Sequence, residues 1–214
     1  MELKRTANAG VLLQLDGVRI LLDGVCSEVM PYCATPPALR DVLLQESPDA
    51  VAFTHTHPDH YDRLFVCEYF KKSAGPVLGP ADIPNSTKDP FSVGDIRILP
   101  VKSRHLGKTE PIEHLSFVLQ GSKTVWFMGD AACDGWLDRS DLPKPDVLIA
   151  PYSFAMGRGW EITKALKPEL VILLHLPEQG NDPYGIWQSV EQTVAGESQI
   201  AILTPKMGQN IHLR

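Results

Sequence analysis

The segment "THTHPDH" (54–60) follows the apolar run "DAVAF" (49–53) and places three histidines and one aspartate within seven positions. The apolar run is typical of a strand that is buried on both faces, so the polar segment begins where that strand ends. Pro58 makes the chain bend and prevents the strand from continuing. A chain of this kind must therefore fold so that the edge of a buried sheet carries a cluster of metal-binding side chains.

The alternation of side chains at a strand end predicts two groups of ligands within this segment. His55 and His57 are two positions apart and point the same way, so both rings can converge on one ion. Asp59 and His60 lie beyond the bend and point differently, which suits a second ion beside the first. Imidazole favours zinc and its transition-metal neighbours, and a carboxylate can complete or bridge such a site.

Other candidate ligands end apolar strands elsewhere in the chain, as a two-ion site requires. The run "ILPVKSRH" ends at His105, "TVWFMGD" ends at Asp130, and "ELVILLH" ends at His175. Gly129 precedes Asp130 and permits a close backbone approach because it has no side chain. Side chains delivered from several strand ends to one edge of a layered fold are a common way of building a rigid site.

Strands and helices are mixed along the whole sequence, and their order indicates an α/β or α+β fold with helices covering the sheets. Apolar runs at 11–15 and 18–23 flank Asp16-Gly17 and predict a hairpin. Further strands are predicted at 49–54, 96–101, 115–120, 124–128, 147–150, 170–174 and 200–203, and helices at 36–46, 62–72, 160–166 and 184–194. No segment has the composition of a linker, which predicts one domain over residues 1–214.

Charge and composition limit the kinds of molecule that this protein is expected to bind. The formal net charge of −6 argues against a basic face for nucleic acid or for an anionic membrane. The first residues, "MELKRTANAG", lack the apolar stretch of a signal peptide, and no apolar run is long enough to span a bilayer. The four cysteines are scattered without a C-x-x-C pair, which fits reduced thiols. We therefore expect a cytoplasmic protein without nucleic-acid or membrane partners, and a homo-oligomer is left open.

The order of these ligands resembles the metallo-β-lactamase superfamily: H-x-H-x-D-H after a short strand, a later histidine, a strand ending in "GD" and a strand ending in histidine. The likeness extends over nearly the whole chain. "GVLLQLDGVRILLDG" resembles the family's first hairpin, "LKPELVILLHLP" its last ligand segment, and "ILTPKMGQNIHL" its last strands. Within the superfamily, the compact layout is most similar to the metal-dependent hydrolases near L-ascorbate 6-phosphate lactonase. The resemblance implies a four-layer αββα sandwich, with two mixed sheets flanked by helices.

The resemblance also implies a metal assignment. The first ion would be bound by His55, His57 and a later histidine, the second by Asp59, His60 and His175, and Asp130 would bridge both. His105 and His114 compete for the third position of the first site. We favour His105 because it directly ends a strand, where the family places its ligand. His114 would then either support the ligands from behind or line the cleft, where it can contact substrate. The chain has "GDA" (129–131) where many relatives have "GDT", so a threonine contact seen in relatives is missing.

This ligand set implies a metal-dependent hydrolase with two divalent cations that share a bridging hydroxide. Zinc is the first choice, and manganese or iron are alternatives. Asp59 would orient the hydroxide and accept its proton, which makes it the candidate catalytic residue. We expect a small, anionic ester, lactone or phosphodiester as substrate. Two alternatives stay open: a di-iron redox protein on the same fold, and a metal-binding module without catalysis.

Several other side chains are candidates for roles around this site. Tyr152 ends a further predicted strand at the same edge and is a candidate substrate contact. The cations Arg104, Lys108 and Arg158 are candidate contacts for an anionic group, and a solvated surface position is the competing interpretation of each. Asp23, in "LLDG", is expected to support the loop around the site and not to bind metal.

Overall fold

Strands and helices are mixed along the chain, as the sequence predicts. The computed structural model describes residues 1–73, 75–107 and 112–213. The strands are β1 Glu2–Arg5, β2 Val11–Leu15, β3 Val18–Leu22, β4 Ala50–Ala52, β5 Val77–Leu78, β6 Phe91–Val93, β7 Ile96–Ser103, β8 His114–Gln120, β9 Thr124–Phe127, β10 Val147–Pro151, β11 Leu170–Leu174, β12 Ala201–Leu203 and β13 Asn210–His212. The helices are α1 Pro37–Glu46, α2 Arg63–Lys72, α3 Gly157–Leu166 and α4 Ile186–Val194, with 3-10 turns at Trp136–Asp138 and Tyr152–Ala155.

Both sheets combine antiparallel and parallel strands. The first has the order β13-β1-β2-β3-β4-β5, and β3, β4 and β5 run parallel. The second has the order β12-β11-β10-β9-β8-β7-β6, and β9 to β12 run parallel. Parallel strands end at the same edge of a sheet, so each sheet carries several strand ends along one edge.

Three apolar clusters hold the layers together. The largest lies between the two sheets and takes side chains from both, including Leu13, Ile20, Phe117, Ile149 and Ile172, all fully buried. A second cluster packs α3 and α4 against the second sheet, and a third packs α1 and α2 against the first sheet. The four-layer αββα sandwich with two mixed sheets is therefore confirmed. Among the described residues, no helix is both long and apolar enough to cross a membrane.

The hairpin at Asp16-Gly17 is confirmed, because both residues have positive φ angles, +50° and +84°, as a two-residue turn between twisted strands requires. The strands β1, β5 and β6 were not predicted. β5 has only two residues and lies in a segment rich in proline and glycine. β1 is largely charged and β6 is largely exposed, so neither shows an apolar pattern. All three exist because a neighbouring strand supplies hydrogen-bond partners.

Candidate metal centre

The histidine-rich segment forms a tight turn at the end of β4. Thr54 is fully buried, and its backbone N–H and its hydroxyl both donate to the carboxylate of Asp23, at 2.7 and 2.6 Å. The N–H of His60 then donates to the carbonyl of His57 at 3.0 Å. Asp62 caps the first turn of α2 with its side chain. The segment is therefore fixed at both ends, by Asp23 on the strand side and by α2 on the helix side.

The structure brings His55, His57 and His105 together, with one ring nitrogen of each within 4.8 Å of the others. His55 Nε2 and His57 Nδ1 are 3.0 Å apart. Two nitrogens bound tetrahedrally to one zinc, at about 2.0–2.1 Å each, would lie about 3.3 Å apart, so this spacing suits a shared ion. His105 reaches the group from the end of β7, where it forms an isolated antiparallel bridge with Ala131.

A second group consists of Asp59, His60 and His175, whose donor atoms also lie within 4.8 Å of one another. His175 Nε2 is 3.0 Å from Asp59 Oδ2, and His60 Nε2 is 3.9 Å from the same oxygen. His175 has a φ of +58°, and its N–H donates to the carbonyl of Asn8 at 3.3 Å. Such a backbone angle is uncommon outside glycine and costs of order 1–3 kcal/mol, so the surrounding fold imposes the direction of this ring.

Asp130 lies between the two groups. Its Oδ2 is 3.7 Å from His105 Nε2 and 3.5 Å from His175 Nε2, and its Oδ1 is 3.3 Å from His60 Nε2. The turn before it depends on Gly129, which has a φ of +55°. A Cβ at this position would lie 2.5 Å from the side chain of Thr54. A residue without a side chain is therefore required for the Asp130 carboxylate to reach both groups.

Hydrogen bonds fix the tautomers of three of these histidines. Because the Thr54 hydroxyl donates to Asp23, it must accept from Nδ1 of His55, at 3.0 Å. Nδ1 of His60 donates to Asp23 at 2.8 Å, and Nδ1 of His105 donates to the next residue's carbonyl at 2.5 Å. In the part of the chain that the structure describes, the Nε2 atoms of His60 and His105 are buried without a hydrogen-bond partner. Lone pairs on Nε2 beside two carboxylates are the donors that divalent transition metals need, so these residues fit such cations.

Asp23 also lies within reach of His55 and His60. Its carboxylate is fully buried and already accepts hydrogen bonds from Thr54 and His60. Burial raises the pKa of this carboxyl group, and the hydrogen bonds from His60 and Thr54 oppose that change. Asp23 thus contacts His60 and the residue before His55, and its role as a support of the ligands stays a prediction.

Burial and mutual charge set the protonation of the cluster. Burial lowers the pKa values of His55 and His57, which keeps both rings neutral. Burial alone would also lower the pKa of His60, but attraction to Asp130 raises it well above its usual range. Burial would raise the pKa of Asp130, but the neighbouring rings of His175 and His60 hold it well below its usual range. The ionised carboxylates are therefore stabilised by positive charge beside them. A divalent cation can supply that charge in place of a proton on a histidine.

No family model matches the chain, and no curated protein matches it significantly. Solved structures do match. A protein described as a possible metal-dependent hydrolase, from Veillonella parvula, has a TM-score of 0.73 at 20% identity, covering 100% of this chain and 99% of its own. The isothiocyanate hydrolase from Delia radicum gut bacteria has a TM-score of 0.70 at 20% identity, with 99% of both chains covered. The metallo-β-lactamase fold protein YhfI from Bacillus subtilis has a TM-score of 0.65 at 20% identity, again with 99% of both chains covered. This chain has the metallo-β-lactamase fold.

The metallo-β-lactamase fold predicted from the ligand order is thus confirmed. Both ligand groups lie together with Asp130 at one edge of this metallo-β-lactamase fold, where strand ends of the two sheets meet. The closer likeness to the L-ascorbate 6-phosphate lactonase group stays a prediction.

His114 lies behind Asp130 and not in the first ligand group. Its ring is 1% exposed, with Nδ1 2.7 Å from the hydroxyl of Ser103 and Nε2 accepting the N–H of Asp130 at 3.1 Å. Burial lowers the pKa of His114 to about 3, so the ring is neutral. This placement does not support the substrate contact predicted for His114, since both nitrogens already have partners within the protein.

Two tyrosines lie beside His175 at this edge of the metallo-β-lactamase fold. The ring centroid of Tyr152 is 6.3 Å from that of His175, and the ring of Tyr32 packs edge-on at 4.2 Å. Burial raises the pKa of both phenols, so both are protonated at neutral pH and can donate hydrogen bonds. The sequence did not single out Tyr32, because it lies in the irregular segment after β3 with no strand end or ligand pattern to mark it.

The candidate cations for an anionic substrate are paired at the surface. Arg158 is 71% exposed and contacts Glu161 at 2.8 Å. Arg104 forms an exposed ion pair with Asp134. Lys108 lies outside the described residues. An anionic substrate would therefore have to compete with a carboxylate for either arginine.

Proposed function

We propose that this chain, as a single domain over residues 1–214, is a metal-dependent hydrolase with two divalent cations. The observation that carries the proposal is the position of Asp130, whose carboxylate lies within 3.3–3.7 Å of histidine nitrogens from both ligand groups. The first cation would be held by His55, His57 and His105, and the second by Asp59, His60 and His175. The hydrolase descriptions of two structural neighbours point the same way.

Zinc is our choice of metal, with manganese or iron as alternatives, because imidazole and carboxylate donors accept all three. When bound, two such cations supply Lewis acidity toward a carbonyl or phosphoryl oxygen, a water molecule of lowered pKa, and positive charge that favours anionic substrates. The side chains around them must orient the substrate and move the proton.

Asp59 is our candidate for the catalytic proton acceptor. Burial alone would raise the pKa of its carboxyl group, but the hydrogen bond to His175 and the charge of His60 lower it, so the group stays ionised at neutral pH. Its side chain lies at the centre and is held by His175 Nε2 at 3.0 Å. A carboxylate held in this way can orient an attacking water molecule and accept its proton.

Two tyrosines beside His175 support the proposed substrate class. The rings of Tyr32 and Tyr152 lie 4.2 and 6.3 Å from the His175 ring, and their protonated phenols can donate hydrogen bonds to substrate oxygens that come within reach. A small ester, lactone or phosphodiester carries such oxygens on the atom that is attacked. Hydrogen bonds that strengthen as negative charge develops on those oxygens would lower the barrier to hydrolysis.

The experiment that tests this function uses protein stripped of metal and reloaded with zinc. It is assayed against an ester, a phosphorylated lactone, a phosphodiester, an isothiocyanate and a β-lactam. We expect turnover of the phosphorylated lactone or the phosphodiester, and little or none of the β-lactam. His212→Asn is the matched control, because this exposed histidine on β13 contacts only Glu2 among the charged residues that the structure describes, and the variant should remain as active as wild type.

Two outcomes would contradict the proposal at different levels. Efficient turnover of the β-lactam, with lactone and phosphodiester untouched, would contradict the substrate class and leave the metal centre intact. Full metal occupancy without turnover of any substrate would contradict hydrolysis and favour a metal-binding module. If a parallel sample reloaded with iron binds two irons and shows electron-transfer activity without hydrolysis, the di-iron alternative is favoured.

A further inference from the structure

A chain of four hydrogen bonds runs behind Asp130 and begins and ends on the turn that carries it. The N–H of Asp130 donates to His114 Nε2 at 3.1 Å, and His114 Nδ1 is 2.7 Å from the hydroxyl oxygen of Ser103. That oxygen is 3.0 Å from the hydroxyl oxygen of Ser116, which donates to the carbonyl of Met128 at 3.0 Å. We call these four bonds the His114 relay.

The two ends of the relay determine where each proton lies. The Met128 carbonyl can only accept, so the single hydroxyl proton of Ser116 is used there. Ser116 must then accept from Ser103, and Ser103 in turn must accept from Nδ1 of His114. His114 therefore carries its proton on Nδ1, which leaves the lone pair on Nε2 for the N–H of Asp130. One proton arrangement satisfies every bond in the relay.

Strand register explains why these residues meet. Ser103 on β7 is directly opposite His114 on β8. Ser116 lies two positions further along β8, so its side chain is on the same face as that of His114. The next strand, β9, ends at the turn that carries Met128 and Asp130, and the N–H of Ala131 closes this turn on the Met128 carbonyl at 3.2 Å. The relay thus holds the turn at two backbone groups.

We propose that His114, as the tautomer protonated on Nδ1, is a positioning residue that sets the direction of Asp130 and thereby the affinity of the centre for its cations. The inference rests on the proposed two-cation site. The Asp130 carboxylate must face nitrogens of both ligand groups at once, so a rotation of its backbone would move it away from at least one group. Outer partners of metal-binding residues typically change metal affinity by about 10–100-fold when they are removed.

The tautomer can be measured in the wild-type chain without any substitution. In the full-length protein labelled with ¹⁵N-histidine, both metal-free and zinc-loaded, we expect His114 to show a protonated Nδ1 and an unprotonated Nε2. A proton on Nε2 would overturn the inference, because that nitrogen could no longer accept the Asp130 N–H. Zinc binding below one ion per chain in the wild type would instead refute the proposed function, and the inference with it.

A matched pair of variants separates positioning from mere packing. In His114→Gln the amide oxygen can reach the place of Nε2 and still accept the Asp130 N–H. In His114→Asn the shorter amide reaches only the place of Nδ1, so it keeps the contact with Ser103 and leaves that N–H without an acceptor. In zinc competition titrations we expect His114→Gln to stay close to wild type and His114→Asn to bind about 10–100-fold more weakly.

If His114 had a purely structural role, both substitutions would lower the zinc affinity to the same extent. Equal zinc affinities for His114→Gln and His114→Asn would therefore overturn the proposal, whether both match the wild type or both fall below it. Thermal unfolding of the metal-free forms is measured to check that both variants fold, and His212→Asn controls for the loss of a histidine at the surface.

Discussion

In the candidate metal centre, the tautomer of a histidine is determined by the hydrogen-bond partner of the ring nitrogen that does not face the centre. The Asp23 carboxylate accepts a hydrogen bond from Nδ1 of His60, and the Thr54 hydroxyl accepts one from Nδ1 of His55. In the neutral form of each ring the lone pair is then on Nε2, and neutral imidazole is the form that binds a metal. For His60, whose pKa is raised beside Asp130, a cation would take the place of the proton on Nε2. The residues behind the ligands therefore determine which atoms face the centre.

Asp59→Asn is expected to abolish activity while preserving the fold. The substitution keeps the shape of the side chain but removes the charge that accepts a proton and helps to hold the second cation. We expect kcat/KM to fall by more than the ~10²–10⁴-fold usual for a lost general base. Urea unfolding of the metal-free forms should stay near wild type, as for the control Asp41→Asn on an exposed position of α1. Near-normal turnover would show that Asp59 is neither ligand nor base.

His105→Ala is expected to remove one cation of the two. The variant deletes a nitrogen of the first group and leaves Asp59, His60 and His175 unchanged. Elemental analysis after zinc reconstitution should give about one ion fewer per chain than wild type, whereas His212→Ala should give the wild-type content. A His105→Ala protein with the full metal content would rule out His105 as a ligand.

Residues at strand ends could be found from the sequence, and residues in irregular segments could not. His55, His57 and His175 directly follow apolar runs, so the pattern of the strands marks them. Tyr32 comes to lie against His175 only because the irregular segment after β3 folds over the centre, and no local pattern records that. The role of His114 depends on its pairing with Ser103 across two strands, which requires the strand register.

The turn after β9 depends on a glycine at position 129, and substitution of that residue tests how tightly the turn is packed. Gly129→Ala places a Cβ 2.5 Å from the Thr54 side chain at a φ of +55°. Gly208→Ala is the matched control, since φ is also positive, +76°, but no atom lies within 4 Å of the new Cβ. The left-handed backbone costs each variant roughly 1–2 kcal/mol, and the clash adds about 1–3 kcal/mol to the first alone. Equal losses in urea unfolding would contradict this account of the turn.

The long apolar strands and the amphipathic helices could be predicted, because burial decides their structure. The hairpin at Asp16-Gly17 could be predicted for a different reason, since its turn residues tolerate positive φ angles. Short strands such as β1 and β6 could not be predicted, because β1 is largely charged and pairs partly with the distant β13, and β6 is a largely exposed edge strand. These strands form because a neighbouring strand supplies hydrogen-bond partners, and their own residues do not indicate them.

The candidate metal centre takes its ligands from both sheets. The segment from His55 to His60 follows β4 of the first sheet, whereas His105, Asp130 and His175 follow strands of the second. A direct backbone contact also joins the sheets here, where the N–H of Leu115 donates to the carbonyl of Thr54 at 2.9 Å. Cations shared between these ligands would therefore stabilise the packing of one sheet against the other.

Removal of metal should lower the thermal stability of the whole chain. A cation that binds only the folded state, at about 100 times its Kd, adds about 2.7 kcal/mol to the free energy of unfolding. We expect chelator-treated protein to unfold at a lower temperature in calorimetry, and added zinc to restore the original value. Magnesium is the control, since it prefers oxygen ligands and should restore little. An unchanged unfolding temperature after complete removal of metal would contradict the link between the centre and the two sheets.

The metal content of the wild-type chain distinguishes a two-cation centre from a site that binds fewer ions. Protein stripped of metal, reconstituted with zinc and freed of unbound ions is measured by elemental analysis against its own concentration. Two ligand groups that share Asp130 predict close to two zinc ions per chain. A content below one ion per chain after reconstitution would contradict the two-cation centre.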